Sequence, residues 1–350
     1  MPHCNNRLEI NRLQIVSDYR QELMGISAIG IILCHMPFYC TELPGIVKSL
    51  FLLGDYGVDM FLFLSGLGIW TSLASSKIKR NVLCYKWGGL FKWYKKRYIR
   101  LLVPYCIIMI PFYAWQCTHY NLGGAEFLLR LSTISFWTSH NSVWFVALLI
   151  PLYALTPFAY SIVHRFDGRN ITIIAISMIA LSLLVAYMDP DSVNDRLSIM
   201  GNIKFCLCRV PSYILGFFLA PYIMRSKKLN RPLLLCLLLL ILAICIKYLA
   251  PINVCVACLL VLPVSLFLSQ CLTHSPKWLI AVFSFMGVIS LESYLLNISL
   301  PRVTSLHNWS LGIVDLSYGN YCMYISTVII SIIIAVAVNR LSRKIIKIIA

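Results

Sequence analysis

Acidic residues are scarce in this chain. It carries 13 Asp and Glu against 30 Lys and Arg, and charged residues of both signs make up only 12% of its 350 positions. A soluble domain has about 25% charged residues. With 59% hydrophobic residues and a mean hydropathy of +0.80, a water-soluble globule is excluded. Familiar catalytic signatures are missing as well. There is no nucleophile elbow, P-loop, HExxH zinc motif or dinucleotide fingerprint, which removes the common soluble hydrolases, nucleotide triphosphatases and dehydrogenases. Metal-ligand spacing is lacking too. Cys206-x-Cys208 and Cys255-x-x-Cys258 have no second ligand pair, so no metal is expected. Most of the 14 cysteines fall in apolar stretches, where a free thiol behaves as a small hydrophobe. No internal repeat of the kind found in many transporters is visible.

What remains is a succession of long apolar runs, and the expected fold is an all-α polytopic membrane protein. A spanning helix needs about 20 apolar residues. Ten runs qualify, at roughly 22–39, 50–74, 102–119, 142–163, 171–188, 206–224, 232–250, 252–271, 279–300 and 320–339. The first 20 residues are polar and offer no cleavage site after a short apolar core, so the first span is expected to stay in the membrane. The net charge of +17 does not point to nucleic acid, because the basic residues sit in short loops between apolar runs. Most of them fall on one side if both termini are cytoplasmic, as the positive-inside rule requires. Lys48, Arg130, Arg196, Lys204, Arg209, Lys247 and Arg302 are left on or near the other side. The chain is read as one membrane domain over 1–350, with a cytoplasmic segment at 1–21 and a basic cytoplasmic loop at 75–101. Within that loop, 91–100 reads as a basic, aromatic interfacial helix.

Ionisable side chains inside such runs are costly and mark function by default. His35 lies 15 residues past Arg20, or about 22 Å along a helix, and a neutral imidazole there can act as a general base. Glu292, about 20 Å into its own span, and Asp59 are expected at the same depth, so the three form one candidate catalytic group. Lys96, Arg97 and Arg100 form a basic cluster suited to clamping phosphate, with Arg20 placed to contribute. Ser65-Gly66 fits close helix packing.

Several segments in order carry a family resemblance. They are Tyr19-Arg-Gln-Glu-Leu-Met-Gly-Ile-Ser-Ala leading to Leu33-Cys-His35, then Gly57-Val-Asp-Met-Phe-Leu-Phe-Leu-Ser-Gly66, then Lys96-Arg-Tyr-Ile-Arg-Leu-Leu-Val-Pro-Tyr105. Val143-Trp-Phe-Val-Ala-Leu-Leu149, Leu152-Tyr-Ala-Leu-Thr-Pro157 and Ser290-Leu-Glu-Ser-Tyr-Leu-Leu-Asn297 follow. Over residues 19–297 the chain resembles the acyltransferase family 3 of integral-membrane acyltransferases. The resemblance implies transfer of an acyl group, most often acetyl from cytoplasmic acetyl-CoA, to a hydroxyl of a surface polysaccharide or lipid-linked sugar. It implies acyl-CoA, a glycan acceptor and membrane lipids as partners, and a place in the bacterial cytoplasmic membrane. Arg20, Lys96, Arg97 and Arg100 would then hold the CoA phosphates. His35 would be the base, with Asp59 or Glu292 fixing its tautomer, and Trp144, His140 and Tyr294 would line the acceptor side. The family's Arg ten residues before the His is Met24 here, with Arg20 one turn earlier. Its frequent second His is Asn297. The alternative reading from the residues alone is a proton-coupled transporter or flippase, since buried His and Glu also build proton relays.

Overall fold

The computed structural model describes residues 13–40, 43–75, 87–165, 195, 197–224, 253–310 and 317–349, with 176, 180, 184, 237, 239–243 and 245 as single points or short pieces. Most of these residues are helical, and no strand occurs among them. The helices are α1 (Gln14–Asp18), α2 (Arg20–His35), α3 (Gly45–Leu52), α4 (Tyr56–Ser75), α5 (Trp87–His119), α6 (Gly124–Leu131) and α7 (Ile134–Ser139). They continue with α8 (Trp144–Arg165), α9 (Ile199–Met224), α10 (Asn253–Thr273), α11 (Lys277–Val288), α12 (Ser290–Ser310) and α13 (Ser317–Ile349).

Among the described residues, six helices are long and apolar enough to cross a membrane, or seven if the bent pair α11–α12 counts as one span. The chain is thus a multi-pass membrane protein. Of the other expected spans, α10 has a shorter apolar stretch, Ala257–Thr273. The runs at 171–188 and 232–250 lie largely outside the described residues.

Two elements differ from the sequence reading. Residues 91–100 do not form a separate interfacial helix. They are continuous with the following span in the 33-residue α5, which at 1.5 Å per residue is about 50 Å long and exceeds a bilayer core of about 30 Å. Nothing between Lys92 and Arg100 breaks a helix, and Lys, Arg, Tyr and Trp are all tolerated there. The second difference is the span at 279–300, which is broken at Ile289. The chain bends there by 69° between α11 and α12.

Close backbone approach fixes how the helices pack. A Cβ on Gly66 of α4 would strike the carbonyl of Tyr213, and one on Gly216 of α9 would strike the carbonyl of Phe63. The same holds for Gly25 against Phe283 and Gly287 against Gln21, between α2 and α11. Association in lipid relies on van der Waals contact between small residues, since the tails are as apolar as the helices. The Ser65-Gly66 pair therefore serves packing through Gly66. Polar links add direction. Arg20 Nε donates to the Leu64 carbonyl at 3.0 Å, and Tyr94 and Tyr98 of α5 donate to the carbonyls of Ala154 and Ile150 of α8 at 2.7 and 2.9 Å. Apolar faces such as Ile325, Ile329 and Ile333 on α13 remain exposed, as lipid contact requires.

Gly216→Leu is expected to lower the melting temperature of the purified protein by several degrees or to abolish detergent-stable folding. The obstacle is backbone, which cannot swing aside. Gly45→Ala, whose Cβ meets nothing within 4 Å, should leave the melting temperature unchanged in the same thermal-shift measurement.

Candidate active site

His35 is the last residue of α2. The helix stops there because Met36-Pro37-Phe38 tightens into a 3-10 turn, and proline has no N–H to continue the ladder. Met36 N–H turns to the Leu33 carbonyl. The carbonyl of Ile32, which would otherwise take that N–H, accepts the Tyr324 hydroxyl at 2.5 Å. Tyr324 in turn accepts from Asn297 Nδ2 at 3.2 Å. With its nitrogen committed to Tyr324, Asn297 presents Oδ1 to His35 Nδ1 at 2.5 Å. An amide oxygen only accepts, so Nδ1 carries the proton and Nε2 keeps its lone pair. The residue paired with His35 is therefore Asn297, a correction to the expectation that Asp59 or Glu292 would fix the tautomer.

Those two carboxylates lie at other depths. Asp59 is two residues past Gly57, which abuts Ser27 of the antiparallel α2. It thus stands level with Gly25, about 15 Å along α2 from His35. Its carboxylate takes an ion pair from Arg209 and a 2.8 Å hydrogen bond from Ser212. Asp55, one turn earlier, takes the other arm of the same guanidinium at 2.5 Å. Arg209 and Asp59 are 2% and 0% exposed, so they form a buried ion pair, while the Asp55 side chain is 48% exposed. Arg209 also lies over the rings of Trp144 and Phe205 at 5.6 and 5.8 Å. Glu292 is in the first turn of α12, five residues and about 7 Å before Asn297. It accepts from Asn339 Nδ2 at 2.8 Å, in the position where a helix dipole favours an acid.

Two cavities lie end to end. One, of about 140 Å³, is lined by Arg97, Arg100, Met24, Ile31, Ser65, Phe145, Tyr153 and Tyr294, among others. Arg97 Nε has no hydrogen-bond partner. The second, of about 130 Å³, is lined by His35, His140, Asn141, Ser142, Trp144, Ile298 and Arg302, together with Met109, Phe112 and Tyr113. Neighbouring positions on three helices serve both cavities: Ile31 and His35 on α2, Phe145 and Trp144 on α8, Tyr294 and Ile298 on α12. The rings of Phe145 and Tyr294, 5.4 Å apart and edge to face, line the first cavity next to the helix positions that line the second.

The sequence-derived candidates thus divide. His35, His140 and Trp144 share one cavity, and Arg97, Arg100 and Tyr294 the other. Lys96 is exposed on α5 and lines neither. Arg20 lies between α2 and α4 against Gly68, where its Nη2 occupies the space a Cβ would need. From there it still acts electrostatically on Arg97.

The chain matches the Acyl_transf_3 family, described as an acyltransferase domain, over residues 23–340. It is a member of that acyltransferase family. No curated protein and no solved structure matches it. In and around the candidate site are three residues that sequence reasoning did not assign. Asn297 stood where relatives often have His, Tyr324 looked like one aromatic among many, and Arg209 was placed near a helix end. The available signal for Arg209 was charge balance, since Asp55 and Asp59, one turn apart, need a cation at that depth.

Removing one partner of a buried ion pair costs about 3–5 kcal/mol, whereas an apolar replacement of the whole group is often neutral. Arg209→Met should therefore lower the melting temperature sharply. Adding Asp55→Asn and Asp59→Leu should recover much of the loss in thermal unfolding.

Proposed function

We propose that this acyltransferase moves an acetyl group from cytoplasmic acetyl-CoA to a hydroxyl of a surface polysaccharide, lipid-linked sugar or similar acceptor. The proposal places both termini in the cytoplasm and the protein in a bacterial cytoplasmic membrane. The observation that carries it is the tandem arrangement of an arginine-lined cavity and a cavity containing a histidine with an unprotonated Nε2.

Arg97 and Arg100 suit the phosphates of CoA. They keep their charge in any pH range of interest, and a guanidinium takes phosphate oxygens in pairs. Arg20 adds positive potential from behind. The narrow, mostly apolar remainder of that cavity fits an uncharged pantetheine arm leading past the Phe145–Tyr294 pair, so that the thioester reaches His35. Once it does, His35 Nε2 takes the proton of the acceptor hydroxyl. The alkoxide oxygen bonds to the thioester carbon, the carbon–sulfur bond breaks, and the CoA thiolate leaves with the proton from the imidazolium. Asn297 accepts from Nδ1–H throughout, so it holds the ring in the basic tautomer and stabilises the imidazolium. Asp59 and Glu292 support the scaffold in this scheme and do not touch the reacting atoms.

Two outcomes test it. Membranes given labelled acetyl-CoA should transfer label to an endogenous glycan, and His35→Ala should reduce transfer at least a thousandfold while the protein stays folded. The double variant Arg97→Gln, Arg100→Gln should raise KM for acetyl-CoA tenfold or more with a smaller change in kcat. Unchanged donor KM would remove the arginines from the donor site.

A further inference from the structure

The His35 cavity carries one fixed positive charge that proton transfer does not need. Besides the neutral rings of His35 and His140 it is lined by Arg302, and among the described residues no Asp or Glu lines it. The carboxylate that acts on His35, Asp55, is bonded to Arg209. Arg302 lies one turn past Ile298 on α12, and both line the cavity. It is five residues beyond Asn297, so its level is about 7 Å further along the axis than His35. Tyr39, one turn past His35, stacks on Tyr324 at 5.5 Å and lies within electrostatic reach of Arg302. The guanidinium thus stands near the same structure that orients the base.

His140 is held at some cost. It occupies the position after α7 with φ of 57°, a left-handed conformation usually given to glycine at such helix ends. The bonds from His140 N–H to Phe136 and from Asn141 N–H to Ser135 close the cap. Asn202 points its nitrogen at the carbonyls of Trp137 and Ser198 and its oxygen at His140 Nδ1, at 2.8 Å. Nδ1 therefore carries the proton, and Nε2 is an acceptor for a hydroxyl. A strained non-glycine residue kept at such a place points to function. The remaining walls offer aromatic faces, Phe112, Tyr113 and Trp144, and small polar groups, Asn141 and Ser142.

We infer that the acceptor is an anionic sugar, carrying a carboxylate or phosphate that Arg302 binds while a hydroxyl on the same unit faces His35. The inference rests on the acyl-transfer reading of this cavity. An aromatic platform takes the sugar face, His140 and Asn141 take its hydroxyls, and the lone arginine at the far end selects for negative charge. Arg302 is then a specificity-determining residue of this cavity.

The test titrates the purified full chain in detergent with sodium glucuronate, glucose 6-phosphate and methyl glucoside. Trp144 emission is the readout, and a Trp144→Phe variant identifies the signal. At least one charged sugar should saturate at a tenfold lower concentration than the neutral one. Arg302→Gln should erase that difference, and Arg302→Lys should retain most of it. A response to glucuronate alone assigns a uronic acid, and a response to the phosphate alone assigns a phosphorylated sugar. Equal affinity for methyl glucoside, an unchanged preference in Arg302→Gln, or no response to any of the three overturns the inference. Label transfer from acetyl-CoA is followed in parallel. Transfer without charge preference sinks the inference alone, and absence of transfer to any acceptor sinks the reading beneath it.

Discussion

The hydrogen bond from His35 to Asn297 is the constraint on which the rest of the site depends. In a bilayer, water cannot rescue a polar group that lacks a partner, so each buried donor and acceptor must be assigned within the protein. The assignments here run in one direction. Pro37 ends α2 and frees the Ile32 carbonyl; Tyr324 caps that carbonyl; Asn297 donates to Tyr324 and turns its oxygen to His35. Each step leaves the next group a single choice. The last consequence is a basic Nε2 facing a cavity, without a carboxylate beside it. An amide does this with less desolvation cost than an anion would carry at that depth.

Charge is used separately and elsewhere. The triplet of Arg209, Asp55 and Asp59 joins α4 to α9 and carries Trp144 on its guanidinium. It therefore shapes one wall of the His35 cavity from a distance. The arginines of the other cavity lack such carboxylates, and Arg97 keeps an unsatisfied Nε. The Phe145–Tyr294 contact lies where the two regions approach each other along α8 and α12.

The helical membrane architecture was legible in the sequence because apolar length is a strong signal that needs no tertiary information. His35, Arg97 and Arg100, which line the two cavities, stood out for a related reason, being ionisable groups in or beside apolar runs. The partnership of His35 was not. Counting residues from the membrane face treats each span as one straight helix, and the break at Ile289 and the interrupted entry through α3 into α4 displace Glu292 and Asp59 from the expected level. Asn297 is neutral and gives no charge signal, and Tyr324 is distinguished from other tyrosines only by the carbonyl it reaches across 292 positions of sequence. Arg209 could be inferred only by asking what neutralises two acids a turn apart.

The most direct measurement is nitrogen NMR of the resting protein with labelled histidine and the other histidines replaced. The account predicts that neutral His35 carries its proton on Nδ1, with Nε2 unprotonated, and that Asn297→Leu releases the ring to a mixture of tautomers. A proton found on Nε2, or the same spectrum with and without Asn297, would contradict it.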